Sequence, residues 1–188
     1  MKDILRLGSI LFAICAVAAF ALGLTNSITT PIIEERNIQA NNAARKEVLQ
    51  EAEEFKIIEI DEQEGVSEVY EGITGGKSIG YTIKTLPKGY GGSIEVMVGI
   101  SADGNITGIK IGNHSETPGL GSKAADPEFK DQFNEKSTQA SLAVVKGNAS
   151  NDNEIVAISG ATITSNAVVT GVNSAIEVFS KIAEEAGV

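Results

Sequence analysis

The alternation of apolar and polar positions divides the chain into distinct regimes. From Leu7 to Leu24 no charged residue interrupts the run, and apolar character continues, diluted by polar residues, to Ile33. An uninterrupted stretch of that length approaches the ~20 residues with which a helix spans a bilayer. From Glu34 to Phe55 neither Pro nor Gly occurs, and Ile38, Val48, Leu49, Ala52 and Phe55 mark a moderately amphipathic linking helix with a charged, solvated face. Lys56–Gly65 starts as a short strand and becomes an acidic turn carrying Glu59, Asp61, Glu62 and Glu64.

Beyond that turn the period changes. Glu68–Gly72, Ile79–Leu86, Ser93–Ile100 and Ile106–Ile111 are enriched in β-branched and aromatic residues, as strands are. Gly75-Gly76-Lys77 turns between the first two, and Ala102-Asp103-Gly104-Asn105 predicts an antiparallel hairpin between the last two. The period returns to helical at the end, where Ala167, Val168, Val172, Ala175, Ile176, Phe179, Ile182 and Ala183 recur at spacings of mostly three and four. That stripe predicts one amphipathic helix over about Ser165–Glu185, capped by Thr164 or Ser165. The expected fold class is α+β: an N-terminal transmembrane helix, then a small antiparallel sheet flanked by helices. The expected division is 1–33 for the anchor and its flank, 34–56 for the linking helix and 57–188 for the domain.

Composition narrows the function. Fifteen basic against 25 acidic residues give a net charge of -10, which opposes nucleic-acid binding because phosphate neutralisation needs clustered cations. One cysteine, Cys15, and one histidine, His114, leave no Cys/His metal or iron–sulfur site within this chain, and no intrachain disulfide. Redox chemistry here would require an organic cofactor. The apolar N-terminus has competing readings. Ala19-Phe20-Ala21 suits a signal peptidase, but the apolar run outlasts a typical leader. Cys15 suggests a lipoprotein, but Ile14 is too bulky for the position before it, and a buried core helix is the third alternative. An uncleaved anchor over residues 7–25, contacting the lipid bilayer, is preferred. Lys2 and Arg6 before it, against Arg36 after it, slightly favour a cytoplasmic N-terminus.

Two stretches carry candidate chemistry. Ser159-Gly160-Ala161-Thr162-Ile163-Thr164-Ser165-Asn166 crowds hydroxyls at a helix start, where free amides and the helix dipole favour a phosphate. An ordinary capped helix after a Ser-Gly turn is the plainer alternative. Glu116-Thr117-Pro118-Gly119-Leu120-Gly121 is a rigid loop with an acceptor carboxylate and two glycines that admit a planar ring closely. Gly119-Leu120-Gly121-Ser122-Lys123-Ala124 superficially fits a dinucleotide fingerprint, but Pro118 and Asp126-Pro127 leave no room for a βαβ unit. Gly89-Tyr90-Gly91-Gly92 reads equally as a flexible turn or a functional loop.

Ser159-Gly160-Ala161-Thr162 resembles the flavinylation motif of FMN-binding domains in the Rnf and sodium-translocating NADH:quinone oxidoreductase complexes. The loop Glu116–Gly121 matches all six positions of a flavin-site loop in the same family, and similarity extends through Gly89–Gly92 and Phe129–Phe133. The resemblance implies FMN held by a phosphoester to Thr162, placed there by a separate flavin transferase. Ser159, Gly160, Ala161, Thr164, Glu116, Thr117, Gly119, Leu120 and Gly121 would complete the site, with no catalytic base. Thr164 and Ser165 are better placed to cap the helix, which leaves Thr162 free for esterification. The family often carries an aspartate where this chain has Val156; Glu154 or Asp152 is the nearest acid. His114 is expected to be structural.

By the same resemblance the chain is expected to be the flavin-bearing component, the G subunit, of an Rnf-type ion-translocating electron-transport complex. It would be single-pass in the plasma membrane, with the flavin domain on the outer face and other subunits as partners. The equivalent C subunit of the quinone reductase, or a membrane-tethered module without flavin, is the alternative.

Overall fold

The computed structural model describes residues 2–60, 63 and 65–186. The acidic turn expected at Asp61, Glu62 and Glu64 lies outside the described residues. Contacts divide the chain into two compact units, residues 1–42 and 43–188.

The first unit is helical. Helix α1 (Lys2–Val48) includes Pro31 in its interior and contains an uncharged window of mean hydropathy 2.4, none of it buried. Phe12, Val17, Phe20 and Leu22 are all about 70% or more exposed, a surface suited to lipid rather than water. The linking helix expected over Glu34–Phe55 is not a separate element. Helical structure ends at Val48, and Glu54 already belongs to a strand, because Glu53 N–H donates to Ile73 O and draws the backbone into a ladder.

The second unit is built on five antiparallel strands in sequential order: β1 (Glu54–Ile58), β2 (Val66–Thr74), β3 (Lys77–Thr85), β4 (Val96–Ser101) and β5 (Ile106–Ile111). Sequential order follows from the short turns; Gly75 and Gly76 both have positive φ in the β2–β3 turn, and Gly104 has φ +78° between β4 and β5. Register then places Val69, Ile83, Val98 and Ile109 in one row across four strands, each at most 4% exposed. Side chains alternate faces along a strand, so this row is what the alternating pattern of the sequence encodes.

Helix α3 (Thr162–Ala186) lays Val168, Val172, Ala175 and Phe179 over that row, completing one core. Its start lies at Thr162, ahead of the expected Ser165. The third of the expected strands starts later than its sequence pattern, at Val96. Before it, Ile94 N–H donates to Pro87 O and Lys88 bridges Ser93, which pinches Gly89–Gly92 into a projecting loop. Between sheet and α3 come short 3-10 turns, a single-turn helix α2 (Pro127–Lys130), and two three-residue strands that pair in parallel, β6 (Ala143–Val145) and β7 (Glu154–Val156). Phe129 and Phe133 insert from this segment into the core, edge to face.

Candidate functional site

The start of α3 is fixed by its own backbone. Ser165 N–H donates to Ala161 O at 3.0 Å, the first bond of the helix, so the amides of Thr162, Ile163 and Thr164 precede the intrahelical ladder. Gly160 turns the chain into this position with φ +77°, a conformation that costs glycine little. Neither Thr164 nor Ser165 caps the helix, contrary to expectation. Ser165 Oγ lies inside the first turn, accepting from Ile158 N–H at 3.0 Å and donating to Ala161 O at 3.1 Å. Thr164 Oγ1 donates to the Glu116 carboxylate instead. The helix begins one turn earlier than the apolar stripe implies, which carries both hydroxyls past the capping position. Thr162 is therefore the first residue of the helix and half-buried.

Glu116 ties three segments together. It is 5% exposed and accepts from Thr164 of α3 and from Gly91 N–H at 2.9 Å, in the Gly89–Gly92 loop. Its own N–H donates to His114 Nδ1 at 3.3 Å, which gives that histidine a local structural role. Burial pushes the Glu116 carboxyl up, but the Thr164 hydroxyl and the amides of Gly91 and Tyr90, helped by the nearby His114, outweigh it. The net effect is a carboxyl below its ordinary value. A Cβ at Gly121 would stand 2.6 Å from both Glu116 Oε2 and Thr164 Oγ1, so glycine there is what lets the loop close on this pair. Gly119 differs: its φ is +76°, and open space surrounds the position a Cβ would take.

A cleft of about 560 Å³ opens over these segments, lined by Tyr90, Glu116, Thr117, Leu120, Gly121 and the run Gly160–Thr164. Eight of the ten residues that sequence reasoning selected line it: Glu116, Thr117, Leu120, Gly121, Gly160, Ala161, Thr162 and Thr164. Gly119 and Ser159 do not. Gly119 shapes the loop from behind, with its N–H bonded to Ser122 Oγ at 2.9 Å. Ser159 faces two other clefts. One, of about 370 Å³, is lined by Lys146, Gly147, Ala157–Gly160 and Thr162; the other, of about 410 Å³, includes Asp126, Phe129, Gln132 and Val156.

Tyr90 and Ile163 also line the main cleft; the sequence leaves Tyr90 undecided between a flexible turn and a functional loop, and Ile163 was missed. Tyr90 is 70% exposed, and its glycine-flanked position was the available signal; Ile163 is 57% exposed and reads in sequence as a helical residue like any other. Exposed aromatic and aliphatic side chains lining one cleft suit a flat aromatic ligand. With the first-turn amides and the Thr162 hydroxyl at its edge, the cleft fits a ligand that joins a planar ring to a phosphate.

Of the acids near Val156, Glu154 has its carboxylate engaged locally. Glu154 accepts from Ser150 N–H at 2.6 Å and from Asn151 Nδ2 at 2.9 Å, bonds that hold its carboxyl below its ordinary value and commit it to the β6–β7 loop. Asp152 offers its backbone carbonyl to Lys136 Nζ. The Val156 backbone is held by the Gln132 carboxamide, which accepts from Val156 N–H at 2.8 Å and donates to Val156 O at 3.3 Å.

A family model described as the FMN-binding domain matches residues 89–177, a span that contains the cleft. The chain is 47% identical to the G subunit of the Na(+)-translocating ferredoxin:NAD(+) oxidoreductase complex of Acetobacterium woodii, over 97% of this chain and 95% of that protein. It is 36% identical to the G subunit of the proton-translocating ferredoxin:NAD(+) oxidoreductase complex of Clostridium ljungdahlii, over 87% and 84% of the two chains. Among solved structures, that of Shewanella oneidensis NqrC resembles it with a TM-score of 0.50 and 27% identity, covering 59% of this chain and 54% of that one.

Proposed function

The chain belongs to the G-subunit family of ion-translocating ferredoxin:NAD(+) oxidoreductase complexes and carries that family's FMN-binding domain, and from this premise we propose how its residues serve the flavin. It is an electron-transfer flavoprotein subunit of a membrane-associated redox complex, with the other subunits of that complex as its partners. The two relatives named differ in the coupling ion, sodium in one and protons in the other, so the shared function is the electron relay. FMN supplies a ring that accepts and donates electrons; the protein supplies position and electrostatics.

The cleft residues divide that work. Tyr90, Leu120 and Ile163 offer apolar surface to the ring, while Gly121 keeps its own position free of a side chain. Glu116 holds the Gly89–Gly92 loop and α3 in fixed relation and directs its charge inward to their donors. The phosphate of FMN is joined to Thr162 Oγ1 by a separate flavin transferase acting on a flavin dinucleotide: the new P–O bond replaces the phosphoanhydride bond, the nucleoside monophosphate leaves, and the hydroxyl gives up its proton. At the first position of α3 the phosphate meets the unladdered amides of the first turn. Thr164 and Ser165 are withheld, because both hydroxyls already serve internal hydrogen bonds. Leu7 to about Thr25 anchors the chain as a single pass, the N-terminus is cytoplasmic and the flavin domain lies on the outer face, as the bias of Lys2 and Arg6 over Arg36 supports.

The observation that carries this reading is Thr162 lining the same cleft as Glu116, Thr117, Leu120 and Gly121. Full-length protein made together with the transferase should give a fluorescent band in a denaturing gel, with the FMN mass on the Thr162 peptide. Thr162→Ala should remove both and leave a folded, membrane-bound chain. Fluorescence that survives denaturation in Thr162→Ala would place the ester on another hydroxyl.

A further inference from the structure

The cleft at Thr162 has a second side. The ring cleft and the smaller cleft of about 370 Å³ share two lining residues, Gly160 and Thr162. Their charges are unlike. The ring cleft contains one ionisable acid, Glu116, whose carboxylate is already engaged by Thr164 and Gly91, and it contains no cation among the described residues. The smaller cleft contains one cation, Lys146. Among the described residues Lys146 has no hydrogen-bond or ion-pair partner, whereas Lys84, Lys110 and Lys130 each pair with a glutamate.

The backbone sets Lys146 where it is. It follows β6 directly, and β6 is joined in register to β7, with Ala157 N–H donating to Val145 O at 2.9 Å. Gly147, with φ +106°, lines the cleft beside the lysine and turns the chain there. The same pairing therefore brings the lysine and the run leading to Ser159-Gly160-Ala161-Thr162 to one cleft. Lys146 is exposed, and in a chain of net charge -10 it is the cation that this cleft offers to an anion.

We propose that Lys146 is the counter-charge for the phosphate joined to Thr162. The flavin ring then takes the Tyr90–Leu120 side of Thr162, and the anionic phosphate takes the Lys146 side. This inference rests on the Thr162 ester, since the two clefts meet at that residue. A phosphate diester stays anionic at neutral pH, and an ammonium paired with it limits how the tethered flavin swings. Lys146 is a binding and positioning group; it transfers no electron and no proton.

The test uses full-length protein loaded by the transferase, with Lys146→Arg, Lys146→Gln and Lys146→Glu beside the parent. Peptide mass measurement first establishes how much FMN sits on Thr162. Fluorescence anisotropy of the tethered flavin then reads the ratio of docked to freely swinging ring. Lys146→Glu should lower that ratio about two- to fivefold, the range of an exposed ion pair, with Lys146→Gln between and Lys146→Arg close to the parent. Added salt should lower the parent's ratio and leave Lys146→Gln unchanged, since salt screens exposed pairs. Loading that falls in the same order of charge would be the same dependence read one step earlier. Equal loading, ratios and salt response in all four proteins, with FMN on Thr162, would overturn the role of Lys146. FMN found on another residue would instead overturn the ester on which it rests.

Discussion

The five-stranded sheet and the segment from Gly112 to Ala161 are held together in different ways. The sheet is a backbone ladder with one apolar row, Val69, Ile83, Val98 and Ile109, facing α3. The segment that builds the cleft has little ladder. Its joints are side chains bonded to backbone: Glu116 to Gly91, Gln132 to Val156, Ser165 to Ile158 and Asn173 to both polar atoms of the Leu142 backbone. A ladder tolerates exchange of side chains that keep the alternation. A joint made by a single carboxylate or carboxamide does not. Phe129, Phe133, Leu142 and Ile155 fasten this segment to the same core, while its single polar joints set the shape of the cleft.

The sharpest break on the sheet side is Ile83→Ala. Ile83 is fully buried between Val69 and Val98, and truncation there should cost about 2–5 kcal/mol of stability by lost burial and a cavity. Denaturant unfolding would show that loss, while protein that remains folded should keep normal flavin ordering. Loss of ordering in the folded fraction would mean that sheet and cleft are not separable.

On the other side, Glu116→Ala frees the exposed Gly91 amide and strands the buried Thr164 hydroxyl, at about 1–3 kcal/mol for a buried group left without its partner. Stability should fall less than in Ile83→Ala, yet flavin anisotropy and potential should change more. The charge of Glu116 also has a pH signature. Its folded carboxyl lies below its ordinary value, so its contribution is complete above the ordinary glutamate range and is lost as pH falls through the lower, folded value. Glu116→Gln should flatten that part of the stability curve. An acid limb identical to the parent's would show that Glu116 acts by shape alone.

How far the sequence revealed each region follows the same divide. The hairpin Val96–Ser101 to Ile106–Ile111 was legible because alternation and an Asp-Gly turn are local signals. The helix that ends the chain was legible from its apolar stripe, but its start was not. Thr162 to Thr164 lie before the stripe gathers, and what fixes them is the Ser165–Ala161 bond and a carboxylate 48 residues away. Strands β6 and β7 are three residues each, too short for any period to show. Tyr90 stayed undecided between turn and site, because its place at the cleft depends on Gly91 meeting Glu116 across 25 residues. Glu116 and Thr164 were named by resemblance to a known motif, but the bond that joins them across 48 residues was not legible.

The smallest expected effect lies on the surface of the sheet. Glu47 bridges Lys110 at 2.7 Å and Lys130 at 3.2 Å, and the Lys110 hydrogen bond holds its carboxyl below the ordinary value against the opposing effect of burial. Both Glu47 and Lys110 are about two-fifths exposed, so Lys110→Ala should cost under about 1 kcal/mol, less in added salt. A larger, salt-independent loss would mean that this pair carries part of the fold rather than decorating it.

The Gln132 carboxamide has a consequence beyond the joint it makes. Strand β7 is paired with β6 on one side, and Gln132 offers Val156 a donor and an acceptor on the other, as a peptide group of a third strand would. To any passing extended chain, that edge is already occupied. A short, otherwise open edge lies three residues before Ser159–Thr162, and strand addition there would crowd that stretch against whatever molecule had docked. A single amide, standing in for a strand, closes that edge beside Ser159–Thr162.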